Sequence, residues 1–191
     1  MVTALKTLCS YFEDHAVPYV LVGGISVIAW GRVRTTDDID VIVDHQRLEY
    51  QGFIDYLKAN NFSADISDLD GFKNKSHCTF FYRDGLQRID IIGMYTKDNE
   101  ISILEARKAK FYGINIRIDC PESLIAHKLL WGSQQDIEDA YAIIVRQSWS
   151  IDHEKLRSHA ERLRISKKLD GLIKWHKSYL EKKKKGETQQ F

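Results

Sequence analysis

The sequence predicts an α+β protein in which a mixed sheet flanked by helices leads into a C-terminal helical subdomain. Three observations carry this. Residues 1–120 contain short apolar runs of strand length separated by amphipathic stretches. From Pro121 onward the periodicity becomes helical. No internal repeat and no Pro/Gly/Ser-rich linker interrupts the chain. Its 191 residues, 43% of them hydrophobic, suffice for one core with a small appendage. These features divide the chain into residues 1–120 and 121–191.

The elements follow in order. Residues 3–15 form a helix with Leu5, Leu8, Tyr11 and Phe12 on one stripe. Pro18 opens a first strand over 19–22, and Gly23-Gly24 turns it into a helix ending near residue 30. A loop with Arg32 and Arg34 leads to a second strand over 39–43. Residues 46–60 form an amphipathic helix with Leu48, Phe53, Ile54 and Leu57 inward, closed by Asn60-Asn61. Strands at 77–83 and 86–92 flank Arg83-Asp84-Gly85, an Asp-Gly hairpin signal. Two shorter strands, 109–112 and 114–118, flank Gly113, and helices cover 121–131, 134–147, 152–164 and 167–183.

Charge is distributed unevenly behind a net +1. Residues 151–191 carry twelve Lys/Arg against six Asp/Glu, and the preceding 150 carry sixteen against twenty-one. The basic end suits a polyanion, or is a solvated helix with a frayed 182–185 terminus. No apolar run approaches the ~20 residues of a membrane span, and the N-terminal stretch has no secretory pattern. Cys9, Cys78 and Cys120 are odd in number and lack CxxC spacing. The expectation is a reducing cytoplasm, no membrane and no zinc site.

The chemistry concentrates in residues 23–40. A strand–Gly-Gly–helix junction lets backbone N–H groups approach a phosphate, and the helix N-terminus adds partial positive charge. Ser26 is placed to donate a further hydrogen bond. Alone, Gly23-Gly24 also reads as an ordinary turn. Asp38 and Asp40, two apart at a strand start, share one face. Paired carboxylates are unfavourable unless a cation sits between them, and oxygen donors favour Mg²⁺ or Mn²⁺. Asp90, within Arg88-Ile89-Asp90-Ile91-Ile92, supplies a third carboxylate from a neighbouring strand, or occupies an exposed position on a half-solvated one. Three carboxylates suit nucleotidyl transfer, in which metal neutralises a triphosphate and a carboxylate takes the acceptor's proton. Arg34 is a candidate clamp on phosphates or a surface arginine. Lys128 shares a helical face with Leu124, Ile125 and Trp131, where a phosphate or carboxylate partner, or snorkelling to solvent, would account for it. Asp136 pairs with Lys128 or serves a capping box begun at Ser133. Asp139 is expected to be exposed.

Gly23-Gly24 followed by Arg34-x-Thr36-x-Asp38-Ile39-Asp40 resembles the polymerase-beta-like nucleotidyltransferase superfamily, and within it the small prokaryotic group of abortive-infection toxins from type IV toxin–antitoxin systems. The stretch from Pro121 through Lys128 to Asp136 and Asp139 is similar to that group's later Lys-bearing and acidic helices. Many relatives carry His before the glycine that ends the first helix, where this chain has Trp30-Gly31. The resemblance implies a nucleotidyltransferase-type sheet, Asp38, Asp40 and Asp90 as catalytic metal ligands, and Gly23, Gly24, Ser26, Arg34, Lys128 and Asp136 around an NTP. It also implies an acceptor hydroxyl on RNA, protein or a small molecule, and an antitoxin partner. RNA gains weight from the basic C-terminal helices, where Trp175, His176 and Tyr179 either stack on bases or pack between helices. A small-molecule transferase similar to aminoglycoside nucleotidyltransferases and a catalytically silent nucleotide-binding module are the alternatives.

Overall fold

The computed structural model describes residues 1–83, 85 and 87–186. The expected hairpin turn at Asp84 therefore lies outside the described residues. The chain forms two compact units: Met1–Ser26 with Arg34–Asp119, and Val27–Val33 with the chain from Cys120 onward.

The first unit runs α1 (Val2–Asp14), β1 (Tyr19–Val22), the start of α2 (Gly23–Trp30), β2 (Asp38–Val43), α3 (Tyr50–Ala59), β3 (Phe62–Ser63), α4 (Asp70–Lys73), β4 (His77–Tyr82), β5 (Gln87–Gly93), α5 (Lys97–Leu104), β6 (Arg107–Phe111) and β7 (Ile114–Ile118). The seven strands form one mixed sheet in the order β3-β4-β5-β2-β1-β7-β6. β2 runs parallel to β5 and β7 to β1, and the remaining neighbours are antiparallel.

Alternation decides what each face of this sheet does. Ile39, Val41 and Val43 of β2 point to one face, with Ile89 and Ile91 beside them in register. All five are buried. The aromatic chain Phe12–Phe53–Phe80, with centroids 5.9 and 6.1 Å apart, ties α1, α3 and β4 together, and Phe12 also meets Tyr19 at 5.1 Å. The stripe of α1 and the inward residues of α3 expected from periodicity are all buried. The opposite face is split. Val20, Val22 and Ile42 are covered by Ile92, Ile103 and Ala106. Beyond that cover the same face continues into Asp38, Asp40, Arg88 and Asp90. Polar residues thus begin where apolar cover ends.

α5 lies outside the helices expected from sequence. Its N-cap is nevertheless readable, since Thr96 accepts from the Asn99 N–H at 3.1 Å and Asn99 returns a bond to the Thr96 N–H. Its one buried residue is Ser102, so it has no apolar stripe to detect.

The second unit comprises the remainder of α2 through Val33, then α6 (Pro121–Trp131), α7 (Gln134–Arg146), α8 (His153–Arg162) and α9 (Ser166–Lys184). Several boundaries have a local cause. Pro121 opens α6 and Gly132, at φ 71°, closes it. Asp152 caps α8 by accepting from Glu154 and Lys155 N–H groups. Val27, Ile125, Leu129, Ile143, Leu156 and Leu172 belong to its core. Arg146 and Gln147 donate to the carbonyls of Gly31 and Trp30, both at 2.9 Å, which fixes the end of α2 within this unit. Trp175 lies parallel to Tyr141 at 4.1 Å and His176 is buried, with Nε2 3.1 Å from Ser148 Oγ. These rings pack between helices. Among the described residues no helix is long and apolar enough to cross a membrane.

Candidate active site

β2 and β5 place the acidic residues. Asp40 pairs in register with Asp90 across the parallel ladder, and Asp38 pairs with Arg88. Residues two apart on a strand share a face, so Asp38, Asp40, Arg88 and Asp90 project together. The antiparallel ladder from β4 adds Thr79 opposite Asp90. Gln87, buried at the start of β5, donates through Nε2 to the Asp37 carbonyl. That bond joins the loop entering β2 to the first residue of β5, where both acidic strands begin.

The glycine pair meets this cluster from β1. Gly23 has φ +60°, and a Cβ there would collide with Asp40 Oδ2. Gly24 faces the loop before β2, where a Cβ would collide with Thr36 Oγ1 and lie 2.7 Å from an Arg34 guanidinium nitrogen. The pair is thus required for close approach: Asp40, Thr36 and Arg34 occupy the space that side chains at 23 and 24 would take. Gly23→Ala is expected to destabilise the chain by about 1–3 kcal/mol through left-handed strain and displacement of Asp40. Urea denaturation checks this, and an unchanged midpoint would contradict it. Ser26 is fully buried and donates to the Leu21 carbonyl at 2.8 Å. Its hydroxyl therefore ties the start of α2 to β1.

Asp90 is held from two sides. Arg88 Nη2 lies 3.0 Å from Oδ2 and Nε donates to Oδ1 at 3.2 Å. Thr79 Oγ1 donates to Oδ1 at 2.6 Å. The like-charge repulsion that suggests a metal from sequence is therefore partly met by an arginine on the same strand. Sequence reasoning overlooked Arg88, although its spacing of two from Asp90 already puts it on the same face. Thr79 and Gln87 carried no such signal, because the strand register that brings them in is non-local. Asp38, Asp40 and Asp90 offer from one face the carboxylate oxygens that hard divalent cations take, though those oxygens do not all lie within 4.8 Å of one another.

Lys128 and Asp136 belong to the second unit. The sequence leaves a phosphate, a carboxylate or solvent open for Lys128, and the structure shows carboxylates: Nζ lies 2.7 Å from Asp136 Oδ1 and 3.4 Å from Asp139 Oδ2. Its side chain is 7% exposed, so it does not snorkel. Asp136 combines both roles foreseen for it. Oδ1 accepts from Lys128, while Oδ2 completes the capping box with Ser133. Burial works to raise the Asp136 pKa, but the bonds from Lys128 and Ser133 outweigh it and hold the carboxyl below its ordinary value. Asp139, expected to be exposed, is instead fully buried and accepts from Arg32 Nε at 2.9 Å. The sixth position of α7 faces the core side once the helix is packed, and charges from Arg32 and Lys128 compensate its burial.

No protein-family model matches the chain, and no curated protein matches it in sequence. Solved structures do. The solution structure of the antibiotic-resistance factor ANT(2″)-Ia is 15% identical with a TM-score of 0.56, over 93% of this chain and 96% of that one. The crystal structure of ANT(2″)-Ia in complex with adenylyl-2″-tobramycin is 16% identical with a TM-score of 0.54, over 85% of this chain and 96% of that one. The chain has a nucleotidyltransferase fold. The lincosamide antibiotic adenylyltransferase LnuA, in a lincomycin-bound crystal structure, also matches, at 18% identity and a TM-score of 0.49, over 73% of this chain and 95% of that one. The fold assignment rests on the first two.

Proposed function

We propose that the chain is a divalent-metal-dependent nucleotidyltransferase that moves a nucleoside monophosphate from an NTP to a hydroxyl acceptor and releases pyrophosphate. One observation carries this reading: Asp40 and Asp90 stand in register on parallel strands, with Asp38 on the same face and Gly23 against Asp40. Asp38, Asp40 and Asp90 are the residues that would hold Mg²⁺ or Mn²⁺. The ion, when bound, supplies charge neutralisation of the triphosphate and acidification of the acceptor hydroxyl. The chain's own groups position and accept. Asp90 takes the acceptor's proton as its oxygen bonds to the α-phosphorus, and the bond from that phosphorus to the bridging oxygen breaks as pyrophosphate leaves. The start of α2 at Gly23-Gly24 offers N–H groups and the positive end of a helix to phosphate. Arg34, against Gly24, is the proposed phosphate clamp. Ser26 serves by fixing that helix start. For Lys128 and Asp136 the buried ion pair supports a structural role in place of direct nucleotide contact, and unchanged NTP affinity in a folded Lys128→Met variant would sustain it.

Two acceptor classes have specific support. The fold likeness to ANT(2″)-Ia favours a small hydroxyl-bearing cation such as an aminoglycoside. The basic end of α9, with Lys182, Lys183 and Lys184 in its last turn, favours RNA. A toxin held by an antitoxin rests on the sequence resemblance to the abortive-infection group. Incubation with each α-³²P-labelled NTP and Mg²⁺, in the presence of total RNA, lysate protein or tobramycin, separates these readings. Label on RNA, protein or antibiotic identifies the acceptor. Retained NTP binding with no label on any of them would instead indicate a silent nucleotide-binding module.

A further inference from the structure

We propose that Arg88 is a built-in counter-cation of the carboxylate cluster, holding Asp90 until a divalent ion displaces it. The inference rests on the metal-site reading above and extends it to how the site loads. Arg88 engages both Asp90 oxygens, through Nη2 at 3.0 Å and Nε at 3.2 Å, in the two-pronged geometry that makes arginine–carboxylate pairs directional. Its register partner on β2 is Asp38, so the guanidinium belongs to the same face as all three carboxylates. The two partners differ in freedom. The Asp90 side chain is 14% exposed and is also fixed by Thr79, whereas that of Arg88 is 47% exposed. Asp90 is therefore the stationary member, and Arg88 is the one able to swing into solvent.

Two consequences follow. Without an ion, Arg88 compensates the charge of Asp90 on the face that also carries Asp38 and Asp40, and so stabilises the folded chain. With an ion, the same guanidinium opposes binding. It competes for the Asp90 oxygens and places a like charge beside the incoming cation. Arg88 should thus weaken metal affinity while stabilising the metal-free protein, the opposite of what a metal-supporting residue does.

The test is calorimetric titration of the full chain with Mn²⁺, comparing wild type, Arg88→Gln and Asp40→Asn, with thermal midpoints measured with and without Mn²⁺. Arg88→Gln is expected to bind Mn²⁺ about three- to tenfold more tightly, to melt earlier without metal, and to recover its midpoint when metal is added. Arg88→Lys, which keeps the charge but loses the fork, should fall between and serves if the glutamine variant does not fold. Asp40→Asn should weaken Mn²⁺ binding. If Asp40→Asn weakens binding while Arg88→Gln leaves affinity unchanged or lower, the counter-cation is overturned and the metal site stands. If Mn²⁺ binding is absent, or indifferent to Asp40→Asn, the metal-site reading is overturned and the counter-cation falls with it.

Discussion

Asp40→Asn is expected to reduce label transfer from α-³²P-NTP by at least about 10²–10³-fold, in a protein that still folds. The two halves of this expectation have separate causes. Asparagine keeps the shape of the side chain that fits against Gly23, so the packing at the start of α2 survives. It removes one negative charge from a face that also carries Asp38 and, in register, Asp90. Loss of that charge deprives a divalent cation of a ligand. A residue retained only for stability would behave in the opposite way, with the midpoint falling and activity following it. Differential scanning calorimetry beside the transfer assay distinguishes the two.

Lys128→Ala is expected to cost about 3–5 kcal/mol of stability, the largest loss among the substitutions considered. Removing the ammonium leaves Asp139, with no exposed side-chain surface, to Arg32, and Asp136, 14% exposed, to its capping bonds. Breaking one side of a buried pair leaves an uncompensated charge, which is more harmful than replacing the whole pair. The effect should depend on pH with a definite sign. Asp136 has a depressed folded pKa, so its contribution is present above the unfolded carboxyl value of about 3.9 and is lost as pH falls through the lower folded value. The gap between wild type and Lys128→Ala should therefore be widest near neutrality and narrow in acid. Urea denaturation at pH 7 and pH 3 measures both, and a loss under about 1 kcal/mol at pH 7 would place Lys128 outside the fold's supporting network.

How far the sequence could be read follows from which signals are local. β1, β7 and α6 occur where apolar period and punctuation put them, since Pro18, Gly113, Pro121 and Gly132 act within one turn of the chain. The helices of the second unit begin and end within about two residues of expectation. α5 is not legible because it buries only Ser102 and so has no apolar stripe, and β3, of two residues, is too short to carry a pattern. In the candidate site, Asp38 and Asp40 on one face follow from strand spacing alone. The register of Asp40 with Asp90 does not, because parallel pairing is non-local and a slip of one residue would have turned Asp90 to the apolar face. Arg88 shows the other limit. A guanidinium two residues from a carboxylate was legible, but the expectation of a metal had already accounted for the clustered charge. The burial of Asp139 is not legible locally, because its partner Arg32 lies 107 residues away in the chain.

Paired labels test nucleotidyl transfer from the face carrying Asp38, Asp40 and Asp90 most directly. The purified chain is incubated with NTP labelled at the α- or the γ-phosphorus, with Mg²⁺ or with chelator, and acid-insoluble and antibiotic-bound label is counted. The expected result is transfer of the α-label alone, with pyrophosphate released, dependent on metal and lost in Asp40→Asn. Transfer of the γ-label, or α-label transfer that persists with chelator or in Asp40→Asn, would contradict it.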